Sequence, residues 1–286
     1  MEQQMANANR KVCTSVPKAG IIGAEQQEVD LLREKLTGVR FFESAGMPFW
    51  EGELGGVPVA VARCGVGKVN AAMCVQILAD RCGVSAVLNT GSAGGTDSSL
   101  GVLDMVVSSD AVFHDVDVRT FGYAQGQVPG TPSPFFVADG AMRRAALQVF
   151  AGLDAEFYAA LEQEAASVLA SGCPQETPPA DPHLPLRRLP RMKEGRVASG
   201  DLFVSDEGVR AGIVSAFSPA CVEMEGAAVA QAACANGLPF LILRNISDLA
   251  GNGSGLSYTD FSWWASRISA AVVLRMLGVA ESWLPR

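Results

Sequence analysis

Short apolar, β-rich runs recur along this chain, and several are followed at once by a Gly-containing or acidic turn and a helix-like stretch. The clearest runs are at residues 19–24, 57–64, 86–90, 104–109, 195–199, 220–224 and 240–245. Strands that alternate with helices predict a single α/β domain with a central mixed, largely parallel twisted sheet flanked by helices. In such sheets ligands collect beyond the carboxyl ends of the strands, so we expect the functional residues just after each run.

The composition indicates a packed globular chain with a small-molecule partner. Of the 286 residues, 49% are hydrophobic and 18% are charged, which is enough to fill a large core. The net charge of −8 argues against nucleic acid and acidic membrane surfaces, because phosphate groups are bound by clustered positive charge. Residues 1–20 lack a secretory apolar stretch and no later run reaches membrane-spanning length. We therefore expect a cytoplasmic protein with a disordered tail at 1–17 and a domain at 18–286.

Cysteine and histidine usage argues against disulfides and metals. The seven cysteines form no CxxC pair, and an odd number cannot form a complete disulfide framework. The two histidines, His114 and His183, are not at metal-ligand spacing. We expect neither a metal site nor a cofactor.

One segment breaks the alternation of strands and helices. The apolar spacing predicts a helix over 154–170 with Asp154 as its cap. Residues 171–192 then hold six prolines and little apolar content. We interpret 154–192 as an insertion in the domain, a surface connector rather than a lid.

Two acidic motifs follow apolar runs. In RNISD (244–248) an Asp follows the strand, and Asp248 taken alone is favoured as a helix N-cap. VEMEG (222–226) places Glu223 and Glu225 two residues apart, on one face if a strand continues and on diverging faces if a helix begins. Buried acids are costly in a purely structural role, so the second motif favours function.

Three further segments are weaker signals. Glu28 lies where a helix is expected to begin near Glu25, and the helix dipole alone would stabilise an acid there. The segment NTGSAGG (89–95) predicts a Gly-rich turn that lets a ligand approach the backbone, with Ser92 supplying a hydroxyl. The segment GVGKV (65–69) imitates a dinucleotide fingerprint but lacks its third Gly and its ribose-binding acid.

Seven motifs in order carry a family resemblance. They are GIIGAEQQEVDLL (20–32), GVGKVNAA (65–72), NTGSAGG (89–95), HDVDVRTFGYAQGQVPG (114–130), SGDLFV (199–204), VEMEGAAVA (222–230) and RNISD (244–248). Together they resemble the bacterial 5′-methylthioadenosine/S-adenosylhomocysteine nucleosidases of the nucleoside phosphorylase superfamily. The resemblance implies a nucleoside phosphorylase-like fold and hydrolysis of the N-glycosidic bond of 5′-substituted adenosines, with release of adenine.

The resemblance implies three catalytic carboxylates. Asp248 resembles the general acid that protonates a purine ring nitrogen, a step that typically contributes about 10² to 10⁴ in rate. Glu28 resembles the acid that orients and deprotonates the attacking water, and Glu225 the one that holds the ribose hydroxyls. Carboxylates near the sugar would also stabilise an oxocarbenium-like transition state.

Other positions match residues that bind the substrate. Met224 matches a residue under the sugar and Phe203 one that stacks on the base. Ser92, Arg244 and Glu223 match positions that organise the water and the acids. The remaining expected contacts are Val204, Ser247 and Tyr258.

The family completes each 5′-thio pocket with a loop from a second subunit, which implies a homodimer. The matching residues here are Val118, Phe121, Tyr123 and Pro129. Two positions depart from the family pattern: Glu25 replaces the usual Met and Tyr258 the usual Phe. The first adds a charge near the water site and the second a hydroxyl near the 5′ pocket.

One position favours water over phosphate as the nucleophile. Related phosphorylases hold phosphate with an Arg at the place of Asn89, and no Arg lies in the turn at 23–28. A purine nucleoside or methylthioadenosine phosphorylase remains the alternative enzyme, with a futalosine-type nucleosidase beside it. A non-catalytic nucleoside-binding protein is less favoured, because binding alone needs none of the three acids.

Overall fold

The computed structural model describes residues 16–171, 178–183, 188–248 and 257–285. In this part of the chain the strands are β1 (Ala19–Gly23), β2 (Thr37–Ser44), β3 (Met47–Leu54), β4 (Val57–Arg63), β5 (Ala86–Gly95), β6 (Met105–Phe113), β7 (Phe136–Val137), β8 (Met192–Ser199), β9 (Cys221–Glu223) and β10 (Phe240–Asp248). The α-helices are α1 (Gln26–Glu34), α2 (Lys68–Ile77), α3 (Gly140–Phe150), α4 (Ala155–Ser171), α5 (Glu207–Phe217), α6 (Gly226–Ala235) and α7 (Tyr258–Leu277).

The strands form one mixed sheet that is parallel in its centre and closes on itself at one side. β1 pairs in parallel with β4 and β5, and β5 pairs in parallel with β10. From β10 the pairing continues through β6, β8 and β9 and returns to the end of β5. Beyond β4 lie the antiparallel strands β3 and β2. The expected α/β fold class is confirmed, and β5 contacts three other strands.

Helices cover both faces of the central strands. All five residues of β1 are buried, as is typical of parallel strands between two helical layers. Alternate residues of β10 face different helices: Asn245 donates to the carbonyl of Ala265 in α7, whereas Ile242 lies beside Gly226 at the start of α6. The buried side of α7 carries Phe261, Trp264, Ile268 and Val272, spaced three or four residues apart.

The seven apolar runs all form strands, but the prediction of a turn at 89–95 is wrong. β5 continues through Gly95, because its second half pairs with both β10 and β9. The strands β2 and β3 were not predicted from the sequence. β2 is exposed along most of its length, so it shows no apolar alternation.

The segment 154–192 begins with the expected helix. α4 is capped by Asp154, whose carboxylate accepts from the backbone N–H of Phe157 at 3.0 Å. Residues 172–177 and 184–187 of the Pro-rich stretch lie outside the described residues, as do residues 1–15 of the expected tail. The chain rejoins the sheet where Arg188 makes a bidentate ion pair, 2.6 and 2.5 Å, with the buried Asp104 before β6.

Two observations concern the described residues as a whole. The cysteines among them, at positions 64, 74, 82, 221 and 234, are all free thiols. No helix in this part of the chain is both long and apolar enough to cross a membrane.

Candidate active site

A pocket of about 350 Å³ opens where several strands end, and its size suits a small organic ligand. Its wall combines the turn after β1, the second half of β5, the segment after β8, and the ends of β9 and β10. The lining residues predicted from the sequence are Glu28, Ser92, Phe203, Val204, Glu223, Met224, Glu225, Ser247, Asp248 and Tyr258. The three expected catalytic carboxylates therefore share one cavity.

Glu28 is held by three backbone N–H groups. Its Oε2 accepts from Ala24 at 2.6 Å and from Glu25 at 3.0 Å, and its Oε1 accepts from Ser92 at 3.2 Å. Burial raises the pKa of Glu28 above its usual 4.5, although Arg244 and these N–H groups oppose the rise. The carboxylate is thus oriented, and it binds a proton more readily than an exposed Glu does.

Gly91 leaves the space that the Glu28 carboxylate occupies. A Cβ atom at position 91 would lie 2.7 Å from Glu28 Oε1 and 3.3 Å from Arg244 Nη1. The glycine is therefore required for the close approach of β5 to the carboxylate rather than for a turn.

Arg244 lies behind the pocket wall rather than in it. Its guanidinium donates to Glu223 Oε2 at 2.6 and 3.1 Å and to Asn89 Oδ1 at 2.5 Å, and all three side chains are buried. Asn89 in turn donates to the carbonyl of Ile22 at 3.1 Å. These hydrogen bonds, two of them to one carboxylate oxygen of Glu223, connect β5, β9 and β10 to one another.

Glu223 and Glu225 diverge, which settles the two alternatives left by the sequence. Glu223 ends β9 and accepts from the backbone N–H groups of Glu225 and Gly226 and from the hydroxyl of Ser199. Glu225 is the N-cap residue of α6, and its Oε1 accepts from the backbone N–H of Gly67 at 2.8 Å. Burial, and then the charge of Glu223, raise the pKa of Glu225 to about 7.

The raised pKa of Glu225 has a consequence for stability. A carboxyl whose pKa rises from 4.5 in the unfolded chain to about 7 in the fold lowers the free energy of unfolding as the pH increases between these values. We expect Glu225→Gln to increase the free energy of unfolding by about 3 kcal/mol at pH 8 and by much less at pH 5, since each pKa unit corresponds to about 1.4 kcal/mol. Urea unfolding at both pH values measures this; an equal change at pH 5 and pH 8 would contradict it.

Asp248 is the last residue of β10. Ser247 Oγ lies 2.8 Å from Asp248 Oδ2 and 3.2 Å from the carbonyl of Ala93. The next helix that the structure describes after Asp248 is α7, and its N-cap is Ser257, so Asp248 does not cap α7. The side chain instead belongs to the pocket wall.

An apolar wall and a polar pair complete the pocket. Phe203 and Val204 belong to the segment after β8, and 75% of Phe203 is exposed. Across from α1, the Tyr258 hydroxyl donates to Glu25 Oε2 at 2.6 Å. Glu25 and Tyr258 are far apart in the sequence, and the fold brings them into contact.

The segment GVGKV contributes to the wall of the pocket. Val66 lines the cavity, and the N–H of Gly67 holds Glu225. Gly67 has a φ of 100°, a conformation that favours glycine. This role was not predicted from the sequence, in which the glycines of the segment were the available signal.

The four residues expected from a partner subunit do not line the pocket of their own chain. Phe121, in the 3-10 turn Arg119–Phe121, is 78% exposed. Pro129 is exposed, and Val118 and Tyr123 are partly buried.

Comparisons with known proteins identify the family of this chain. Residues 18–278 match the Phosphorylase superfamily. A 5′-methylthioadenosine/S-adenosylhomocysteine nucleosidase from Treponema pallidum (strain Nichols) is 43% identical, covering 90% of this chain and 91% of the relative. The chain belongs to the 5′-methylthioadenosine/S-adenosylhomocysteine nucleosidase family.

Two solved structures show the same fold. The nucleosidase from Colwellia psychrerythraea 34H in complex with adenine has a TM-score of 0.73 and 37% identity, covering 92% of this chain and 96% of that one. The nucleosidase from S. pneumoniae with a transition-state inhibitor has a TM-score of 0.73 and 32% identity, covering 91% and 98%. As a member of this nucleosidase family the chain is an N-glycosidic hydrolase.

Proposed function

We propose that this chain hydrolyses 5′-methylthioadenosine, S-adenosylhomocysteine and related 5′-substituted adenosines, releasing adenine. The observation that carries the proposal is the convergence of Glu28, Glu225 and Asp248 on one ligand-sized cavity. The names of the relatives and the adenine bound to the Colwellia psychrerythraea enzyme support it.

In the proposed mechanism two carboxyl groups move protons in opposite directions. Glu28 accepts a proton from water, whose oxygen forms a bond to the anomeric carbon. The bond from that carbon to the purine breaks, and Asp248 donates a proton to a purine ring nitrogen so that adenine leaves neutral. Ser247, 2.8 Å from Asp248, orients the acid.

The remaining residues bind and position the nucleoside. Glu225 accepts hydrogen bonds from the ribose hydroxyls, Met224 packs under the sugar, and Phe203 stacks on the base; Val204 adds apolar contact. The ion pair between Arg244 and Glu223 lies behind the pocket wall and holds β9 and β10 together.

The electrostatics of the cavity suit a positively charged transition state. Three buried or partly buried carboxylates, Glu28, Glu223 and Glu225, surround the single guanidinium of Arg244. When all are ionised, the negative charge exceeds the positive charge. Preorganised negative charge stabilises an oxocarbenium-like sugar more than the neutral substrate.

The cavity favours water over phosphate. None of the described residues that line it is Lys or Arg. Asn89, at the position where phosphorylases carry an Arg, is buried and bonded to Arg244 and to Ile22. A phosphate nucleophile would therefore meet carboxylates without a compensating cation.

A homodimer completes the site in this proposal. Apolar side chains near the pocket are exposed in the single chain, among them Phe203 at 75%, Val66 at 49% and Leu202 at 48%. A second subunit would cover them with its own Val118, Phe121, Tyr123 and Pro129. A mass of one chain, 29.9 kDa, in analytical ultracentrifugation would contradict the dimer.

The deciding measurement is adenine release with and without phosphate. We expect release from methylthioadenosine and S-adenosylhomocysteine at a rate that does not depend on phosphate, with the free sugar as the second product. A phosphate-dependent rate with a sugar 1-phosphate as product would assign the chain to the phosphorylases instead. Cleavage of a futalosine-like nucleoside alone would change the substrate class.

A further inference from the structure

Glu25 and Tyr258 form a polar contact between two helix N-termini at the edge of the pocket. Glu25 is the N-cap residue of α1, and Tyr258 is the first residue of α7. The Tyr258 hydroxyl donates to Glu25 Oε2 at 2.6 Å, and Gln27 Nε2 donates to the same oxygen at 2.8 Å. Both Glu25 and Tyr258 line the cavity that holds the three proposed catalytic carboxylates.

This contact adds little to the stability of the fold. Tyr258 is 53% exposed, and a partly solvated pair of polar side chains contributes little to the free energy of unfolding. Glu25 already serves the start of α1 through a capping box with Glu28, and the Tyr258 hydroxyl takes no part in that cap. A role toward a ligand explains the pair better.

The position of the pair assigns it to one part of the substrate. This step rests on the proposed function, in which Asp248 and Phe203 contact the base and Glu225 the ribose hydroxyls. Glu28 holds the water at the anomeric carbon. The lining residues not assigned to the base, the ribose or the water include Glu25, Val66 and Tyr258, and we place the 5′ substituent against them.

The polar groups in this part of the cavity favour a 5′ substituent that donates hydrogen bonds. An ionised carboxylate accepts about four hydrogen bonds, so the donors from Tyr258 and Gln27 and the capping contact of α1 leave Glu25 capacity for one more. Burial and Glu25 raise the pKa of Tyr258 to about 12, so its hydroxyl stays protonated and keeps donating to Glu25. The nearby Glu28 adds negative charge, and Arg63 Nη1 donates to Gln26 Oε1 rather than to Glu25.

We propose that Glu25 and Tyr258 form a subsite that selects a 5′ substituent carrying an ammonium group, as in S-adenosylhomocysteine, over an uncharged alkylthio group, as in methylthioadenosine. Glu25 binds the ammonium directly, and Tyr258 holds the carboxylate in position. A charged hydrogen bond of this kind changes affinity by about tenfold or more.

The test compares three substrates across matched variants. They are S-adenosylhomocysteine, its analogue without the α-amino group, and methylthioadenosine, each assayed for kcat/KM of adenine release. In the wild type we expect S-adenosylhomocysteine to exceed the des-amino analogue about tenfold. Glu25→Gln should abolish this ratio, and Tyr258→Phe should reduce it in part. Glu53→Gln, the same charge change at an exposed residue of β3 outside the pocket, should leave it unchanged.

The use of a ratio separates substrate selection from other effects. The charge of Glu25 also raises the pKa of Glu28, so Glu25→Gln changes the rates of all three substrates through the water site. That contribution cancels in the ratio. An unchanged ratio in Glu25→Gln, or a wild type that does not distinguish the amino group, would overturn the subsite. Failure of the wild type to release adenine from any of the three would instead overturn the proposed function.

Discussion

Asp248→Asn is expected to lower kcat for adenine release by about two orders of magnitude or more. General acid catalysis typically contributes about 10² to 10⁴ in rate, and a carboxamide cannot transfer a proton to the purine. In the wild type, Ser247 Oγ lies 2.8 Å from Asp248 Oδ2. Asn keeps the shape of the side chain and an oxygen that can accept this hydrogen bond. The loss should therefore appear in turnover rather than in folding.

The control for this variant is Asp80→Asn. Asp80 is exposed in the π-helical turn Leu78–Cys82, outside the pocket, and accepts from Gln76 at 2.9 Å. Both variants should unfold at the temperature of the wild type, while only Asp248→Asn loses activity. Near-normal turnover in folded Asp248→Asn would remove Asp248 from the mechanism.

Glu28→Gln is expected to cost about 10² to 10⁴ in kcat as well, because the attacking water loses its base. An additional effect arises from the local hydrogen bonds. Both oxygens of Glu28 accept backbone N–H groups, one from Ser92 and the other from Ala24 and Glu25. In either orientation of the Gln side chain, its NH₂ group would face a backbone N–H donor and could not accept the hydrogen bond. We therefore expect the side chain to be displaced and the thermal unfolding temperature to fall.

The wild-type pH profile reports the protonation of Glu28 together with that of Glu225, whose pKa is raised to about 7. Because burial raises the pKa of Glu28 above 4.5, the base is protonated at a higher pH than an exposed Glu. kcat/KM should thus decline with falling pH, and the decline should begin above pH 4.5. Glu34→Gln, an exposed change on the same helix, should keep the wild-type profile. A Glu28→Gln enzyme that turns over within a few-fold of the wild type would refute the assignment.

The central strands were predictable because their residues are buried on both faces and form continuous apolar runs. β2 was not predictable, since its exposed residues show no such pattern. The second half of β5 was misjudged for a different reason. Glycines at 91, 94 and 95 favour a turn locally, but pairing with β10 and β9 holds them extended.

The candidate site was predictable as a set of strand-end positions but not as a set of contacts. Apolar runs followed by acids placed Asp248 and Glu225 at the ligand edge of the sheet, and the family resemblance supplied the roles expected of them. Such runs do not indicate which distant segments become neighbours. The bond between Tyr258 and Glu25 joins residues 233 positions apart, and the bond from Gly67 to Glu225 spans 158.

The central place of β5 determines when the site can form as the chain is synthesised. β5 is paired with β1 early in the chain, but its partners β9 and β10 are made only after residue 220. A chain that ends before Phe240 lacks Asp248 and also leaves one edge of β5 without its partner. Unpaired strand edges promote association with other chains. Truncated or stalled chains should thus be inactive and prone to aggregate. When β10 is synthesised, it both supplies Asp248 and covers the unpaired edge of β5.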